Sequence, residues 1–302
     1  MKLFIIIRGA QERTQEHCVA ISEKLVGAEN VLLLNEPSFS QAHIKSMEIG
    51  AKLEGFDYVI FLDADVLLIE KNFVENIKKG MQEIKDKQFY MLNYLLFDRQ
   101  CKAPVYGMHL YNIETLKKAL NYKEVAINAQ RPETAVCVQM AKKGYKTYIT
   151  PTIVGYHGYE QFYADMYRTA FVRGIKYKGH WDFYLPTFYN NKDKHQDYFW
   201  SYQGLVDGIV AYSEGDGIAS LSKNAYKLTF EQHLKQYNLS EKEDLLKTYQ
   251  LPILNDELEK INPLYEKNKG WLSPTKVGFN ETSKAKKIVR RIYKSLKTRL
   301  KS

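Results

Sequence analysis

The chain has 302 residues, 45% of them apolar and 26% charged, which is enough for one large or two modest globular domains. Its net charge of +9 lies almost wholly in residues 281–302, which hold nine Lys/Arg and one Glu, so the rest of the chain is close to neutral. This distribution excludes a uniformly basic nucleic-acid-binding protein, and no apolar stretch is long enough to predict a transmembrane helix.

The first 65 residues alternate between strand and helix patterns. Apolar runs predict strands at Leu3–Ile7, Val31–Leu34 and Tyr58–Leu62, and the first run is too short for a signal peptide. Helical spacing of apolar residues predicts helices at Gln11–Val26 and Gln41–Leu53. The resulting β-α-β-α-β order predicts a parallel, helix-covered sheet.

The next stretch, up to residue 150, continues this pattern. The last of its strands is predicted to end at Pro151, and the last of its helices has proline at its start and Gly144 at its end. Helices are predicted at Phe73–Ile84, Ile113–Leu120 and Pro132–Lys143, and strands at Phe89–Leu96, Val105–Asn112 and Tyr145–Thr150.

The C-terminal half changes in composition. Residues 156–202 are crowded with aromatic side chains, which suits either an open groove for a sugar or a plain aromatic core. Residues 222–262 have a charged helical pattern. In Ser283–Leu300, apolar residues recur every three or four positions opposite a Lys/Arg face, which predicts a basic amphipathic helix. The predicted domains are residues 1–160, 161–280 and 281–302.

The most informative motif is Asp63-Ala64-Asp65, which directly follows the predicted strand Tyr58–Leu62. In open α/β sheets, ligands bind at the carboxyl ends of the strands. Two carboxylates this close repel one another unless a positive charge lies beside them, and Asp oxygens suit Mg²⁺ or Mn²⁺, which in turn hold phosphates. A solvated turn is the alternative, but the pair lies inside an apolar run, where an uncompensated charge is costly.

This strand-helix order followed by Asp-x-Asp resembles the GT-A-fold glycosyltransferases. The segment Arg131-Pro132-Glu133-Thr134-Ala135-Val136 to Gly144-Tyr145-Lys146 is similar to the acceptor-side helix of family 2, whose bacterial members build surface glycans. There an acidic residue precedes an amphipathic helix that ends in Gly-Tyr-Lys. The resemblance covers about the first 160 residues. It implies a Rossmann-like mixed sheet flanked by helices, here with a C-terminal aromatic and helical extension and the basic tail helix.

The resemblance also implies an activity of the hexosyltransferase class. A sugar would move from a nucleotide-diphosphate donor, such as a UDP-sugar, to a glycan or lipid-linked glycan acceptor, with Mn²⁺ or Mg²⁺ as cofactor. Asp65, Asp63 and His157 would hold the metal, and Glu133 would take the proton from the acceptor hydroxyl. For Glu133 the alternative is a helix-start carboxylate, and for His157 an ordinary hydrogen-bonding histidine. The predicted donor-binding residues are Arg8, Lys45, Asp63 and Asp65, and the predicted acceptor-binding residues are Tyr156, Tyr159, Arg168 and Trp181.

Three other functions share some of these features. A haloacid dehalogenase-type phosphatase would use Asp63 as nucleophile and the acidic segment Glu214-Gly215-Asp216-Gly217, although that nucleophile usually lies on the first core strand. A nucleotidyltransferase would need a glycine-rich phosphate loop after Ile7, which is missing. A non-enzymatic membrane-docking protein would leave the acidic pair unexplained.

The basic tail, residues 281–302, suits an anionic membrane surface better than a protein partner, and no nucleic acid is expected. The three cysteines lack metal or redox spacing and fit a reducing compartment. The predicted location is therefore cytoplasmic, on the inner face of the membrane.

Overall fold

The computed structural model describes residues 1–36, 38–82, 84, 88–129, 131–213, 223–245 and 273–274. The predicted amphipathic tail helix and the acidic segment 214–217 lie outside these residues. The described chain forms two compact units, Met1–Glu160 with the strand Ser273–Pro274, and Gln161–Glu243. Among the described helices, none combines the length and apolar character needed to cross a bilayer.

The first unit is built on one mixed sheet. Its strands are β1 Leu3–Gly9, β2 Val31–Asn35, β3 Tyr58–Asp63, β4 Val66–Leu68, β5 Met91–Asp98, β6 Ala103–Asn112, β7 Thr147–His157 and β8 Ser273–Pro274. Their order in the sheet is β2-β1-β3-β6-β5-β7-β4, with β8 paired to β7. The pairs β1–β2, β1–β3 and β5–β7 are parallel, and the other pairs are antiparallel.

Helices cover both faces of this sheet. They are α1 Gln15–Val26, α2 Phe39–Gly50, α3 Phe73–Gln82, α4 Ile113–Ala119, α5 Lys123–Ile127 and α6 Pro132–Lys142. Successive side chains of a strand point to opposite faces, so each face has its own apolar cluster. Ile5 and Ile60 lie in one cluster, together with side chains of α1 and α3. Ile6 and Phe61 lie in the other, together with side chains of α2, α4, α5 and α6. This arrangement confirms the predicted fold class, a mixed α/β sheet flanked by helices.

The prediction that a strand ends at Pro151 was wrong, because β7 continues to His157. The register between β7 and β5 shifts between the pairs Ile149–Asn93 and Ile153–Leu95, and Pro151 lies inside this irregular stretch. A residue without an N–H is tolerated at such a bulge. The longer strand carries His157 to the end of β5, where its register partner is Asp98.

The second unit is helical, with a core of aromatic side chains. Its helices are α7 Tyr163–Lys176, α8 Trp181–Tyr189, α9 Gln196–Ser213 and α10 Lys223–Tyr237. Two glycines of α9 allow this helix to pack closely on α7. A Cβ at Gly204 would lie 2.1 Å from the carbonyl oxygen of Tyr167, and one at Gly208 would lie 2.2 Å from that of Phe171. Tyr167 and Trp200 are buried, so much of the aromatic composition of this region is accounted for by core packing.

Candidate active site

Arg8 and Asp63 form an ion pair at the carboxyl ends of two parallel strands. They are register partners on β1 and β3. Two positions earlier, Ile6 and Phe61 point to the face covered by α2 and α6, so Arg8 and Asp63 reach that same face. Nη2 of Arg8 lies 2.7 Å from Oδ1 of Asp63, and the Arg8 side chain is only 3% exposed, whereas that of Asp63 is 36% exposed.

Glu133, in the first turn of α6, is the second anion beside Arg8. Nη1 of Arg8 donates a hydrogen bond of 2.8 Å to Oε1 of Glu133. Burial opposes the ionisation of Glu133, but the positive charge of Arg8, aided by His109 and His43, outweighs it and lowers the pKa to about 2. Burial raises the pKa of Asp63, and Arg8 acts against that rise. The buried guanidinium of Arg8 therefore forms ion pairs with two carboxylates, those of Asp63 and Glu133.

Two histidines that were not predicted complete this cluster. His43 of α2 places Nδ1 3.5 Å from Nη1 of Arg8. His109 of β6 places Nε2 3.6 Å from Oε1 of Glu133, and its Nδ1 lies 2.5 Å from Oδ1 of Asn93. Burial lowers the pKa of both histidines, that of His43 to about 4, so both are neutral at pH 7. The alternation of β6 was the available signal for His109, which lies two positions from the buried Tyr111.

A second cluster forms around Asp65, directly after β3. Oδ2 of Asp65 lies 3.3 Å from Nε2 of His157, at the end of β7. Nδ1 of His157 lies 2.8 Å from Oδ2 of Asp98, at the end of β5. The N–H of Gly158 donates to the carbonyl oxygen of Asp65 at 3.0 Å, which ties the two strand ends together. Oδ1 of Asp65 is buried and has no hydrogen-bond partner.

The loop after His157 is held by arginines from other loops of the same unit. Nη1 of Arg13 donates to both the backbone oxygen and the carboxylate of Glu160, at 3.0 and 2.9 Å. Glu160 has a φ of 53°, which is uncommon for a residue with a Cβ and indicates that these contacts hold it. The N–H of Arg99 donates to the carbonyl oxygen of His157 at 3.0 Å. No sequence motif had indicated these contacts.

The remaining predicted residues have other partners. Lys45 pairs with Glu36. Tyr156 is 1% exposed and packs in an apolar cluster, and Tyr159 lies under the guanidinium of Arg99, 5.7 Å from ring centroid to Cζ. In the second unit, Arg168 pairs with Asp165 at 3.1 Å, and the buried Trp181 donates its indole N–H to a backbone carbonyl.

The fold thus brings together Arg8, Asp63 and Glu133 in one cluster, and Asp65 with His157 in the adjoining one. Within the described residues, no group of three or more His, Cys, Asp and Glu side chains has the spacing of a complete metal site. The metal assignment of Asp63, Asp65 and His157 therefore stays a prediction.

No protein-family model and no curated protein sequence matches the chain. Solved structures that resemble it include a glycosyltransferase involved in the glycosylation of the major capsid of PBCV-1, 13% identical, covering 49% of this chain and 82% of that one, with a TM-score of 0.35. Another is 4-diphosphocytidyl-2C-methyl-D-erythritol synthase from Anaerococcus prevotii, 8% identical, covering 53% and 90%, with a TM-score of 0.35. CMP:2-keto-3-deoxy-manno-octonic acid synthetase is 14% identical, covering 51% and 91%, with a TM-score of 0.30. Similarities this weak do not support an inference about function.

Proposed function

We propose that this protein is a metal-dependent glycosyltransferase that moves a sugar from a nucleotide-diphosphate donor to a glycan or lipid-linked glycan acceptor. The observation that carries the proposal is the carboxylate of Asp65 at the carboxyl edge of a mixed α/β sheet: its Oδ1 is buried without a hydrogen-bond partner, and its Oδ2 lies 3.3 Å from Nε2 of His157. This edge is where α/β sheets bind ligands. A buried oxygen without a partner is costly unless a cation or donor group meets it.

The residues present fit Mn²⁺ or Mg²⁺. Asp65 and His157 would hold the ion, and a carboxylate oxygen with an imidazole nitrogen is a suitable ligand pair for Mn²⁺. Local charge agrees: the one positive charge of Arg8 is shared between the carboxylates of Asp63 and Glu133, and two further carboxylates, those of Asp65 and Asp98, lie within 3.3 Å of His157, which favours a cation there. When bound, the ion would neutralise charge that develops on the departing nucleoside diphosphate.

Asp63 is the proposed contact to the ribose or sugar of the donor. Its side chain is about one third exposed, while Arg8 fixes the carboxylate from the buried side. The free part of the carboxylate can accept hydrogen bonds from donor hydroxyls. Arg8 itself is enclosed, so we propose that it acts on the donor through Asp63 and not by direct contact with phosphate.

Glu133 is the proposed base for the acceptor hydroxyl. Glu133→Gln is expected to lower kcat by about 10²- to 10⁴-fold, because the base is lost. Donor affinity should stay within about twofold, because the amide oxygen of glutamine can still accept the hydrogen bond from Arg8. The low pKa of about 2 makes Glu133 a weak base while Arg8 holds it, so the measured size of the effect is informative. Unchanged kcat together with a lower melting temperature would mean that Glu133 only supports Arg8.

A donor screen tests the whole proposal. Nucleotide sugars should raise the melting temperature only when Mn²⁺ or Mg²⁺ is present, since a ligand that binds only the folded state stabilises it; at 100 times Kd the gain is about 2.7 kcal/mol. The same nucleotide sugars with EDTA are the control. Absence of stabilisation by any nucleotide sugar would count against the proposal. Hydrolysis of p-nitrophenyl phosphate that is lost in Asp63→Asn would instead support the phosphatase alternative.

That phosphatase alternative is less well supported by the described residues. A nucleophile of that phosphatase type usually lies on the first core strand, whereas Asp63 ends β3, and one of its two carboxylate oxygens already pairs with Arg8. Docking to an anionic membrane surface through residues 281–302, at the cytoplasmic face, is retained as part of the proposal. It rests on the basic amphipathic pattern of that segment alone.

A further inference from the structure

We infer that Asp98 is a positioning residue that selects the tautomer of His157 and so prepares Nε2 of that histidine to bind a metal ion. This inference rests on the proposed function, because it concerns the same site. Asp98 belongs to no sequence motif and was not among the predicted site residues.

Asp98 is held rigidly. It ends β5 and is the register partner of His157 on the parallel strand β7. Its side chain is enclosed, with 1% of the residue exposed, and its Oδ1 accepts a hydrogen bond of 2.7 Å from the N–H of Cys101. The N–H of Lys102 donates to the carbonyl oxygen of Asp98 at 2.8 Å. Since Oδ1 is engaged by the backbone, Oδ2 is directed at His157.

The chemistry of the pair determines where the imidazole proton lies. A carboxylate accepts hydrogen bonds and cannot donate one, so the 2.8 Å contact with Oδ2 of Asp98 requires a proton on Nδ1 of His157. In the neutral ring, Nε2 then carries the free electron pair, and this nitrogen faces Asp65. A carboxylate behind a ligating histidine fixes the ring and raises its basicity, and its loss typically costs 10- to 100-fold in metal affinity.

Asp98→Asn tests this with almost no change in size. The amide oxygen can keep the bond from the N–H of Cys101, which turns the amide NH₂ toward His157 and requires Nδ1 to accept. The imidazole proton then moves to Nε2 and blocks the nitrogen that faces Asp65. We expect calorimetric titration with MnCl₂ to show a 10- to 100-fold weaker Kd for the variant. Histidine ¹⁵N NMR of the metal-free protein at about pH 8 should report the change from Nδ1–H to Nε2–H.

Three further variants make the result specific. Asp57→Asn, at the amino end of β3, removes a carboxylate from the opposite edge of the sheet and should leave the Mn²⁺ affinity unchanged. Asp98→Glu keeps the charge and should keep the Nδ1–H tautomer, so it also serves if Asp98→Asn folds poorly. In a His157→Ala background, Asp98→Asn should have no further effect on Mn²⁺ affinity, as expected when one residue acts only through the other.

The outcomes separate this inference from the proposed function. If Asp65→Ala abolishes Mn²⁺ binding but Asp98→Asn binds Mn²⁺ within about twofold of the unmodified protein, the role of Asp98 is overturned and the metal site stands. An unchanged tautomer in Asp98→Asn would overturn it equally. If the unmodified protein does not bind Mn²⁺ or Mg²⁺, the metal part of the proposed function fails, and the inference that depends on it fails with it.

Discussion

Replacing Asp65 by alanine is expected to lower metal-dependent sugar transfer by about 10²- to 10³-fold. The variant removes a carboxylate whose buried Oδ1 has no hydrogen-bond partner and whose Oδ2 lies 3.3 Å from Nε2 of His157. Groups that stabilise charge developing in the transition state are worth about 3–4 kcal/mol each, and each 1.36 kcal/mol is tenfold in rate. The measurement is kcat/KM for the best donor of the screen, across a Mn²⁺ titration.

The same variant should keep its fold, and this distinguishes loss of a ligand from loss of structure. Asp65→Ala removes a buried oxygen that lacks a hydrogen bond, so we expect a melting temperature equal to or above that of the unmodified protein in EDTA. Asp57→Ala is the matched control, since it removes a carboxylate at the other end of the same strand and should leave transfer unchanged. Full activity of Asp65→Ala would refute the metal role.

Replacing Arg8 by methionine is expected to destabilise the first unit by about 3–5 kcal/mol at neutral pH. Methionine keeps much of the volume but leaves the carboxylates of Asp63 and Glu133 without their shared cation, in a site where Arg8 is only 3% exposed. A loss of this size lowers the melting temperature by roughly 6 to 20 °C in a domain of about 150 residues. Chemical denaturation and calorimetry measure it directly.

The loss of stability in Arg8→Met should become smaller as the pH falls, because Glu133 becomes protonated. Its pKa of about 2 lies below the ordinary value of 4.5, so the ionised form contributes stability that is fully present above about pH 5 and is lost as the pH falls toward 2. The shift corresponds to about 3 kcal/mol. Without Arg8 that contribution is absent, so the difference between the two proteins is largest at neutral pH and narrows between about pH 5 and 2.

Two variants test this explanation of the Arg8 effect. Combining Arg8→Met with Glu133→Gln removes one of the two carboxylates that Arg8→Met leaves unpaired, and it should recover part of the lost stability. Lys24→Met breaks the exposed ion pair with Glu70 and should change stability by less than about 1 kcal/mol. If Arg8→Met costs no more than Lys24→Met, or if its cost is independent of pH, the buried pairs do not stabilise the unit.

The local patterns of the sequence account for the first half of the fold. Apolar runs of strand length and helical spacing of apolar residues are properties of contiguous residues, so β1, β2 and β3 and the helices between them were predicted with errors of a few residues at their ends. The place of Asp63-Ala64-Asp65 at the carboxyl end of β3 follows from the same local reasoning. Local patterning was less informative for β7, where a bulge against β5 accommodates Pro151.

The sequence by itself therefore determined the mixed α/β class, the acidic pair at a strand end, and the candidates His157 and Glu133. The tertiary structure decided which side chains meet. Asp98 and His157 are 59 residues apart, and Arg8 and Glu133 are 125 apart. Such pairs depend on strand order, on register and on which face a side chain reaches, and a shift of one residue would turn each side chain to the other face. These quantities are set by packing between distant segments, which no window of sequence contains.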